Sequence, residues 1–133
     1  MKNLTLLLAL ILLSSCIPDT LKEKMNDGMS MAQTMMADQQ FKSAIAQVEL
    51  HKLRNGVYPN SLSELQFLSA MDSSMFHSIE YAKLDTAYEL NINLDMPSFD
   101  GSKKRIHLNY PPEFWRGLGC IKSNAKGTRR NSR

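Results

Sequence analysis

The chain has 133 residues, which leaves room for one domain and excludes an enzyme with a separate cofactor domain. Hydrophobic residues make up 43% of the sequence and charged residues 22%, which is typical of a globular protein and not of a disordered one. The net charge of +3 is unevenly distributed, because residues 16–121 carry ten basic and thirteen acidic side chains, whereas residues 122–133 carry five basic side chains and no acid. A basic balance that comes from one end of the chain is poor evidence for nucleic-acid binding.

The N-terminus has the pattern of an export signal. Lys2 precedes an almost unbroken apolar run from Leu4 to Leu13. As a helix these ten residues rise about 15 Å, roughly half the thickness of a bilayer core, so the run is too short to cross a membrane. We therefore predict a signal peptide over residues 1–15.

The four residues at the end of this run, Leu13-Ser14-Ser15-Cys16, resemble the lipobox of bacterial lipoproteins. The resemblance implies cleavage between Ser15 and Cys16 and a diacylglycerol, with palmitate-like chains, on the Cys16 thiol. An ordinary secretory signal with a cysteine there by chance is the alternative. Each buried methylene contributes about 0.8 kcal/mol and two chains suffice for stable anchoring, so a lipid on Cys16 would hold the protein on a membrane.

The implied location is the bacterial cell envelope. In lipoproteins of bacteria with two membranes, an Asp directly after the lipidated cysteine favours retention at the inner membrane, and here that residue is Ile17. The resemblance therefore implies an outer-membrane anchor with the protein facing the periplasm. If lipid occupies Cys16, Cys120 has no partner for an intrachain disulfide, and it is either buried, free or paired with another chain. Burial is the interpretation that we favour.

The mature chain begins with residues typical of a tether. We predict a lipidated cysteine and a tether over residues 16–28, with a capping box at Thr20 to Glu23 and an interruption of the helix at Gly28. The chain from Met29 to Leu53 favours a long helix, and its apolar residues at helical spacing predict one buried face: Ala37, Phe41, Ala44, Ile45 and Val48. Five methionines precede that face, and packing in a core or coiled coil is the interpretation preferred over a metal or partner surface: Met25, Met29, Met31, Met35 and Met36.

An α+β fold follows from the elements after this helix. Asn55-Gly56 ends the helix, and a second capping box at Ser61 to Glu64 predicts a short helix running to Leu68. Three segments predict strands: Phe76 to Lys83, Tyr88 to Leu94, and Arg105 to Tyr110. We expect a domain over residues 29–121 in which the long N-terminal helix packs on a small antiparallel sheet formed as a meander.

The end of the helix carries a family resemblance. The segment from Phe41 to Leu65, with Gly56, Tyr58 and Pro59 at its turn, resembles the headpiece of type IV pilins and type II secretion pseudopilins. The resemblance implies that Gly56 ends the helix, Tyr58 folds back over the last turn, and Pro59 directs the chain toward the sheet.

The chain also departs from that family. Pilins begin with a prepilin-peptidase site and a long apolar helix, whereas this chain has the lipobox in that place. The calcium loop of pseudopilins is not transferable, because Asp95 and Asp100 are two carboxylates without further oxygen ligands, and a solvated turn is the better interpretation. We therefore expect a pilin-like headpiece on a lipid anchor.

The sequence contains no familiar catalytic or metal-binding motif. No two of its three histidines have metal-ligand spacing, and no nucleotide-binding loop occurs. A pair of acids on neighbouring strands, Glu80 and Glu89, and a thiol with an imidazole, Cys120 and His107, are the only candidates for hydrolysis. We expect no enzyme, no metal and no cofactor.

Two segments near the C-terminus are candidates for contacts. Phe114, Trp115 and Arg116 form either an exposed anchor for a protein partner or, as the favoured alternative, part of the core at the end of the sheet. Residues 122–133 predict a basic disordered tail that either touches anionic lipid or glycan or only aids solubility.

These observations leave three hypotheses for function. The first is a non-catalytic, lipid-anchored envelope protein that acts through protein contacts in secretion, surface assembly or envelope structure. The second is a small periplasmic lipoprotein that binds a ligand such as an envelope glycan. The third is a hydrolase that uses Cys120 or the two glutamates. We prefer the first, and an apolar surface patch would favour it, whereas a deep cleft with converging polar groups would favour the second.

Overall fold

One long helix and a small sheet make up the fold, so the α+β prediction is confirmed. The computed structural model describes residues 18–66, 76–98 and 101–127 of the chain. Helix α1 (Asp19–Asn55) has 37 residues, and its C-terminal half packs on the sheet. The buried residues of α1 are the five that the periodicity predicts: Ala37, Phe41, Ala44, Ile45 and Val48.

The first third of α1 differs from the prediction. The helix continues through Gly28 without a break, so the predicted interruption is wrong, and residues 19–28 are helical. A glycine inside a helix costs about 1 kcal/mol of stability. This long helix tolerates that cost, because Asn26 and Ser30, on either side of Gly28, make hydrogen bonds to Ser98 and Lys104. The capping box at Thr20 does not form either, because the N-cap is Pro18 and no side chain caps the helix there.

The end of α1 is as predicted. Gly56 adopts the left-handed conformation with φ 77°, and its N–H donates to the carbonyl oxygen of Lys52 at 2.8 Å. The segment after it forms a short 3-10 turn (Leu62–Glu64) without a side-chain cap from Ser61. The predicted continuation of this turn to Leu68 is wrong for Leu65 and Gln66, because Leu65 is extended with ψ 139°, and Phe67 and Leu68 lie outside the described residues.

Among the described residues, five short strands form two sheets. In the larger sheet, β2 lies in the middle, antiparallel to β1 and parallel to β5, and in the smaller one β3 and β4 form an antiparallel pair. The strands are β1 (Ile79–Lys83), β2 (Tyr88–Ile92), β3 (Asp95–Pro97), β4 (Lys103–Arg105) and β5 (Cys120–Lys122). The predicted meander is therefore wrong, because the third strand of the larger sheet runs parallel to its neighbour.

The third predicted strand, from Arg105 to Tyr110, is also wrong beyond its first residue. Ile106, Leu108 and Tyr110 are buried in alternation, as in a strand. However, the backbone of this segment pairs only near its ends, where the N–H of Ile106 donates to Leu94 at 3.0 Å and that of Tyr110 donates to Ala125 at 2.9 Å. Alternation of apolar and polar residues indicates which face of a segment is buried, but it does not show whether another strand lies beside that segment to pair with it.

Part of the predicted tail belongs to the domain. Lys122 lies in β5, and Ala125 is 1% exposed. The side-chain amide of Asn124 accepts a hydrogen bond from the N–H of Ile92 at 3.0 Å and donates one to its carbonyl oxygen at 2.7 Å. The prediction of disorder is therefore wrong for residues 122–127, and residues 128–133 lie outside the described part of the chain.

A single hydrophobic core lies between α1 and the larger sheet. Tyr88 and Leu90 of β2 are fully buried in it, as is Phe41 of α1. Within the described residues, no helix has the length and apolar character needed to cross a bilayer.

Candidate functional site

The turn after α1 holds the residues of the pilin-like motif. Tyr58 is buried, its ring lies 5.2 Å from the Nζ of Lys52, and its hydroxyl donates to Glu49 at 3.3 Å. The ring therefore lies back against the last turns of the helix, as the motif predicts. Pro59 is fully buried, and its carbonyl oxygen accepts a hydrogen bond from the Tyr81 hydroxyl at 2.6 Å.

Glu49 is the polar centre of this end of the fold. Its Oε1 accepts hydrogen bonds from the hydroxyl of Tyr88 at 3.0 Å and from the backbone N–H of Gly119 at 2.8 Å. Its Oε2 accepts the bond from Tyr58. We call Glu49, Tyr58, Tyr88 and Gly119 the Glu49 cluster. It joins the helix, the turn after the helix, the central strand and the residue before β5.

The packing of the Glu49 cluster is tight. Burial raises the pKa of the Tyr88 hydroxyl above its usual range, and the adjacent Glu49 carboxylate raises it further. A Cβ atom placed on Gly119 would overlap the hydroxyl and ring of Tyr58, so only glycine fits there without a shift of the ring. These contacts give the cluster a structural role, which no local pattern in the sequence indicated.

An open groove lies halfway along α1. It has a volume of about 890 Å³ and lies between the helix and the segment from His107 to Tyr110. We call it the methionine groove, because three of its lining side chains are Met31, Met35 and Met36, which are 68%, 64% and 54% exposed. These exposures show that the core part of the preferred interpretation is wrong for the three methionines, whereas packing in a coiled coil with another chain stays a prediction.

The polar edge of the methionine groove contains Asp38 and Tyr110, and Lys42 binds Asp38 from outside the groove lining. Asp38 accepts hydrogen bonds from the Tyr110 hydroxyl at 2.6 Å and from the Lys42 ammonium at 2.8 Å. Burial by itself raises the pKa of Asp38, but these two hydrogen bonds and the charge of Lys42 together hold it below its usual value. The groove thus has an ionised carboxylate whose charge is already paired.

Phe114, Trp115 and Arg116 lie beside this groove, behind Tyr110. Phe114 stacks on the Tyr110 ring at 4.2 Å, and Trp115 meets the Phe41 ring edge-on at 6.1 Å. Both aromatic side chains are half-buried and pack against the core, whereas Arg116 is exposed. The core interpretation therefore holds for the two aromatic residues, and Arg116 is left as the exposed member of the predicted contact.

The outer face of Trp115 is partly covered. The Nζ of Lys126 lies 5.0 Å from the centre of the indole ring, and it donates to the carbonyl oxygens of Cys120 and Ile121 at 2.9 and 2.8 Å. A pocket of about 220 Å³ remains beside Trp115 and Pro112. A sugar ring stacking on this indole would have to displace the ammonium group, so this face gives little support to glycan binding.

The structure argues against a simple form of each hydrolytic candidate, through the strand register of the two acids and through the burial of Cys120. In the β1–β2 pair, Glu80 lies opposite Asn91 and Glu89 lies opposite Ala82, so the two acids do not form a directly facing pair. Cys120 is 2% exposed, and burial raises the pKa of its thiol, which donates to the carbonyl oxygen of Lys122 at 3.2 Å. The favoured burial of Cys120 is thus confirmed.

Some of the remaining predicted site residues lie in the described part of the chain, and others lie outside it. Asp95 forms an ion pair with Arg105 at 3.1 Å, whereas Asp100 lies outside the described residues. Among residues 18–66, 76–98 and 101–127, no three His, Cys, Asp or Glu side chains come together as a metal site would require. Ser15 and Cys16 lie outside the described residues, so the cleavage and lipidation predictions stay predictions.

Comparisons with known proteins return no relative. No protein-family model, no curated protein and no solved structure matches the chain. The residues and the geometry described above are therefore the basis on which a function can be proposed.

Proposed function

We propose that this protein is a lipid-anchored, non-catalytic protein of the bacterial cell envelope that acts by binding another protein. The methionine groove is the observation that carries the protein-binding part. Met31, Met35 and Met36 are each more than half exposed there and adjoin Leu108 and Tyr110. Exposed apolar side chains gathered around a groove mark interaction sites, and methionine adapts its shape to different partner side chains.

The anchoring part of the proposal is supported by the N-terminal sequence. The apolar run from Leu4 to Leu13 precedes Cys16 with the spacing of a lipoprotein signal. Helix α1 begins at Asp19, three residues after Cys16. Three extended residues reach about 10 Å, so a lipid on Cys16 would hold the start of α1 at the membrane surface. Ile17 favours the outer membrane, with the domain in the periplasm.

The place of the protein in secretion or surface assembly is proposed from the pilin-like turn. The left-handed Gly56, the Tyr58 ring against the helix and the buried Pro59 support a headpiece of the pseudopilin kind. Such a headpiece on a lipid would offer its groove to a partner without entering a fibre core.

Binding of a small ligand in the groove is the alternative function. The groove volume of about 890 Å³ lies within the range of small-molecule pockets. Such pockets bury most of the ligand, however, whereas Met31 and Met35 keep 68% and 64% of their surfaces exposed. A protein side chain or helix fills a groove of this kind better than an isolated small molecule.

Site-specific photo-crosslinking in intact cells tests the proposal. A photoreactive residue at Met35 should form an adduct with one protein, and the same residue at Leu53 is the matched control, because Leu53 is an 82% exposed apolar residue on the same helix but outside the groove lining. We expect the adduct from position 35 alone and expect Met35→Glu to reduce co-purification of the captured protein. Identical adducts from both positions, or none from position 35, would contradict the groove as the binding site.

A further inference from the structure

The first turns of α1 carry a second apolar surface, which adjoins the methionine groove at Ala32. Leu21, Met25 and Met29 are 49%, 49% and 44% exposed. At about 100° of rotation per residue, the three side chains fall within roughly 80° of one another around the helix. Gly28 and Ala32 fall in or beside the same sector and are also exposed. We call these five residues the N-terminal stripe.

The charged residues of the same turns are sorted around this stripe. Lys22 and Lys24 lie about 60° and 100° from Met25, on opposite sides of it. The three acidic residues of these turns lie about 120° to 160° from Met25, on the opposite face of the helix: Asp19, Glu23 and Asp27. The helix therefore has an apolar face, lysines at both edges and carboxylates on the far side.

The β3–β4 hairpin packs on another side of these turns. Ser98, which follows β3, donates to the side-chain oxygen of Asn26 at 3.1 Å, and Lys104 of β4 donates to the hydroxyl of Ser30 at 3.2 Å. Asn26 and Ser30 lie about 100° and 140° around the helix from Met25. The hairpin thus covers a polar face and reaches the edge of the N-terminal stripe at Met29, which lines the crevice beside Pro97 and Ser98 but stays 44% exposed.

The geometry points to a lipid surface as the partner of this stripe. We infer that residues 21–32 of α1 lie along a membrane, with Leu21, Met25 and Met29 among the acyl chains just below the headgroups. Lysine suits the edges of such a helix, because its methylenes cover apolar surface while its ammonium reaches anionic headgroups, and the carboxylates stay in water.

A second copy of the chain fits this stripe less well. Leu21, Met25, Gly28 and Ala32 alternate intervals of four and three residues, as the seam of a coiled coil does. The residues that flank this seam, however, are the two lysines Lys22 and Lys24, whereas coiled coils usually place opposite charges there. Because the acids of these turns lie on the far face, they could not pair with the lysines of a second copy across the seam.

This inference rests on the proposed lipid anchor and adds an orientation to it. The lipid on Cys16 would supply most of the membrane affinity, while the stripe, starting five residues later, would lay α1 along the surface. Met31 and Met35 lie about 120° and 80° around the helix from Met25, on the side opposite Lys22, whereas Met36 lies about 20° from Met25. The methionine groove would then adjoin the membrane surface at Met36, with Met31 and Met35 turned sideways toward partners in the same layer.

Fluorescence quenching by brominated lipid tests the contact. Trp115 is the single tryptophan of the chain, so a Trp115→Phe background contains none. The full-length purified protein, in vesicles of phosphatidylethanolamine and phosphatidylglycerol with brominated acyl chains, would carry either Met25→Trp on the stripe or Glu23→Trp on the far face. We expect quenching at position 25 to exceed quenching at position 23 by at least threefold. If Trp115→Phe unfolds the domain, the same two substitutions are made in protein that keeps Trp115. The quenching at positions 25 and 23 is then compared after the signal of Trp115 alone has been subtracted.

The outcomes separate this inference from the anchor. Mass spectrometry of the peptide containing Cys16 reports the lipid independently. Equal quenching at the two positions in protein with a lipid on Cys16 would overturn the inference and leave the anchor standing. Stronger quenching at position 25 in protein without that lipid would support the membrane contact and contradict the anchor. Weak quenching at position 25 together with concentration-dependent dimers would make a second copy the occupant of the stripe and overturn the lipid proposal.

Discussion

A carboxylate that is partly withdrawn from water, as Glu49 is, stays stable only when protein donors replace the water that it loses. Glu49 meets this condition with three donors, the hydroxyls of Tyr58 and Tyr88 and the N–H of Gly119. Two of these donors come from segments 39 and 70 residues further along the chain. Glu49 therefore fixes how the helix, the central strand and the approach to β5 meet.

Removal of the Glu49 carboxylate should destabilise the whole domain. We expect Glu49→Ala to lower the free energy of unfolding by about 2 to 4 kcal/mol, because it leaves the buried hydroxyl of Tyr88 and the N–H of Gly119 without their acceptor. Glu49→Gln keeps one acceptor oxygen and should cost less than half as much. Urea unfolding followed by circular dichroism measures both, and equal midpoints for Glu49→Ala and wild type would contradict the role of the cluster.

Asp38 should make stability depend on pH in the acid range. The pKa of Asp38 in the folded protein lies below its usual value, so ionised Asp38 stabilises the folded state. Its contribution to the free energy of unfolding is complete above the unfolded pKa of about 3.9, and it is lost as the pH falls through the lower folded pKa. We expect Asp38→Asn to lower the free energy of unfolding at pH 7 by at most about 1 kcal/mol, because solvent screens this half-exposed group. The difference from wild type should shrink below pH 4, and a difference that stays constant from pH 7 to pH 2 would exclude this cause.

At the scale of elements, local sequence patterns predicted the features of α1 that depend on neighbouring residues, namely its buried face and its C-terminal end. The spacing of Ala37, Phe41 and Val48 indicated the buried face of α1, and Gly56 indicated its end, because both depend on neighbours along the helix. Gly28 misled the prediction, since a propensity of about 1 kcal/mol is smaller than the support from the rest of the helix.

Substitutions at two glycines, Gly28 inside α1 and Gly56 at its C-terminal cap, should change the free energy of unfolding in opposite directions. Gly28 lies inside the helix, and a Cβ atom placed on it would have no neighbour within 4 Å, so Gly28→Ala should raise the free energy of unfolding by up to about 1 kcal/mol. Gly56 has φ 77°, which a β-branched residue resists, so Gly56→Val should lower it by more than about 1 kcal/mol. Urea midpoints that move in the same direction for both variants would contradict the assigned helix interior and cap.

The pairing of strands was beyond local patterns. The alternation of Tyr88, Leu90 and Ile92 indicated the buried face of β2, but it did not say which segment lies beside it. The parallel partner β5 lies near the polar end of the chain. The burial of Cys120 and Ala125 in this region follows from the structure and is not visible as a pattern in the sequence. The hydrogen bonds between Asn124 and Ile92 that hold this end in place join residues 32 positions apart, which a short sequence window does not contain.

At the scale of the molecule, the described parts form two regions along one helix. The C-terminal half of α1 belongs to the core, with Phe41 and Val48 fully buried, whereas the N-terminal half exposes apolar side chains such as Met25 and Met35. Composition and periodicity found the methionines but could not tell burial from exposure, because that depends on where the hairpin and the segment before Tyr110 pack. The proposed anchor next to this exposed half would place the N-terminal stripe against lipid and leave the methionine groove accessible to a protein partner.

The mass of the N-terminal peptide of the mature protein decides whether Cys16 carries the proposed lipid anchor. In protein expressed in a bacterial host and purified from its membranes, we expect a chain that begins at Cys16 and carries a diacylglycerol on the thiol. We also expect Cys16→Ser to leave an unprocessed precursor without lipid. A mature, membrane-bound Cys16→Ser protein, or a wild-type chain cleaved elsewhere with an unmodified Cys16, would contradict the anchor.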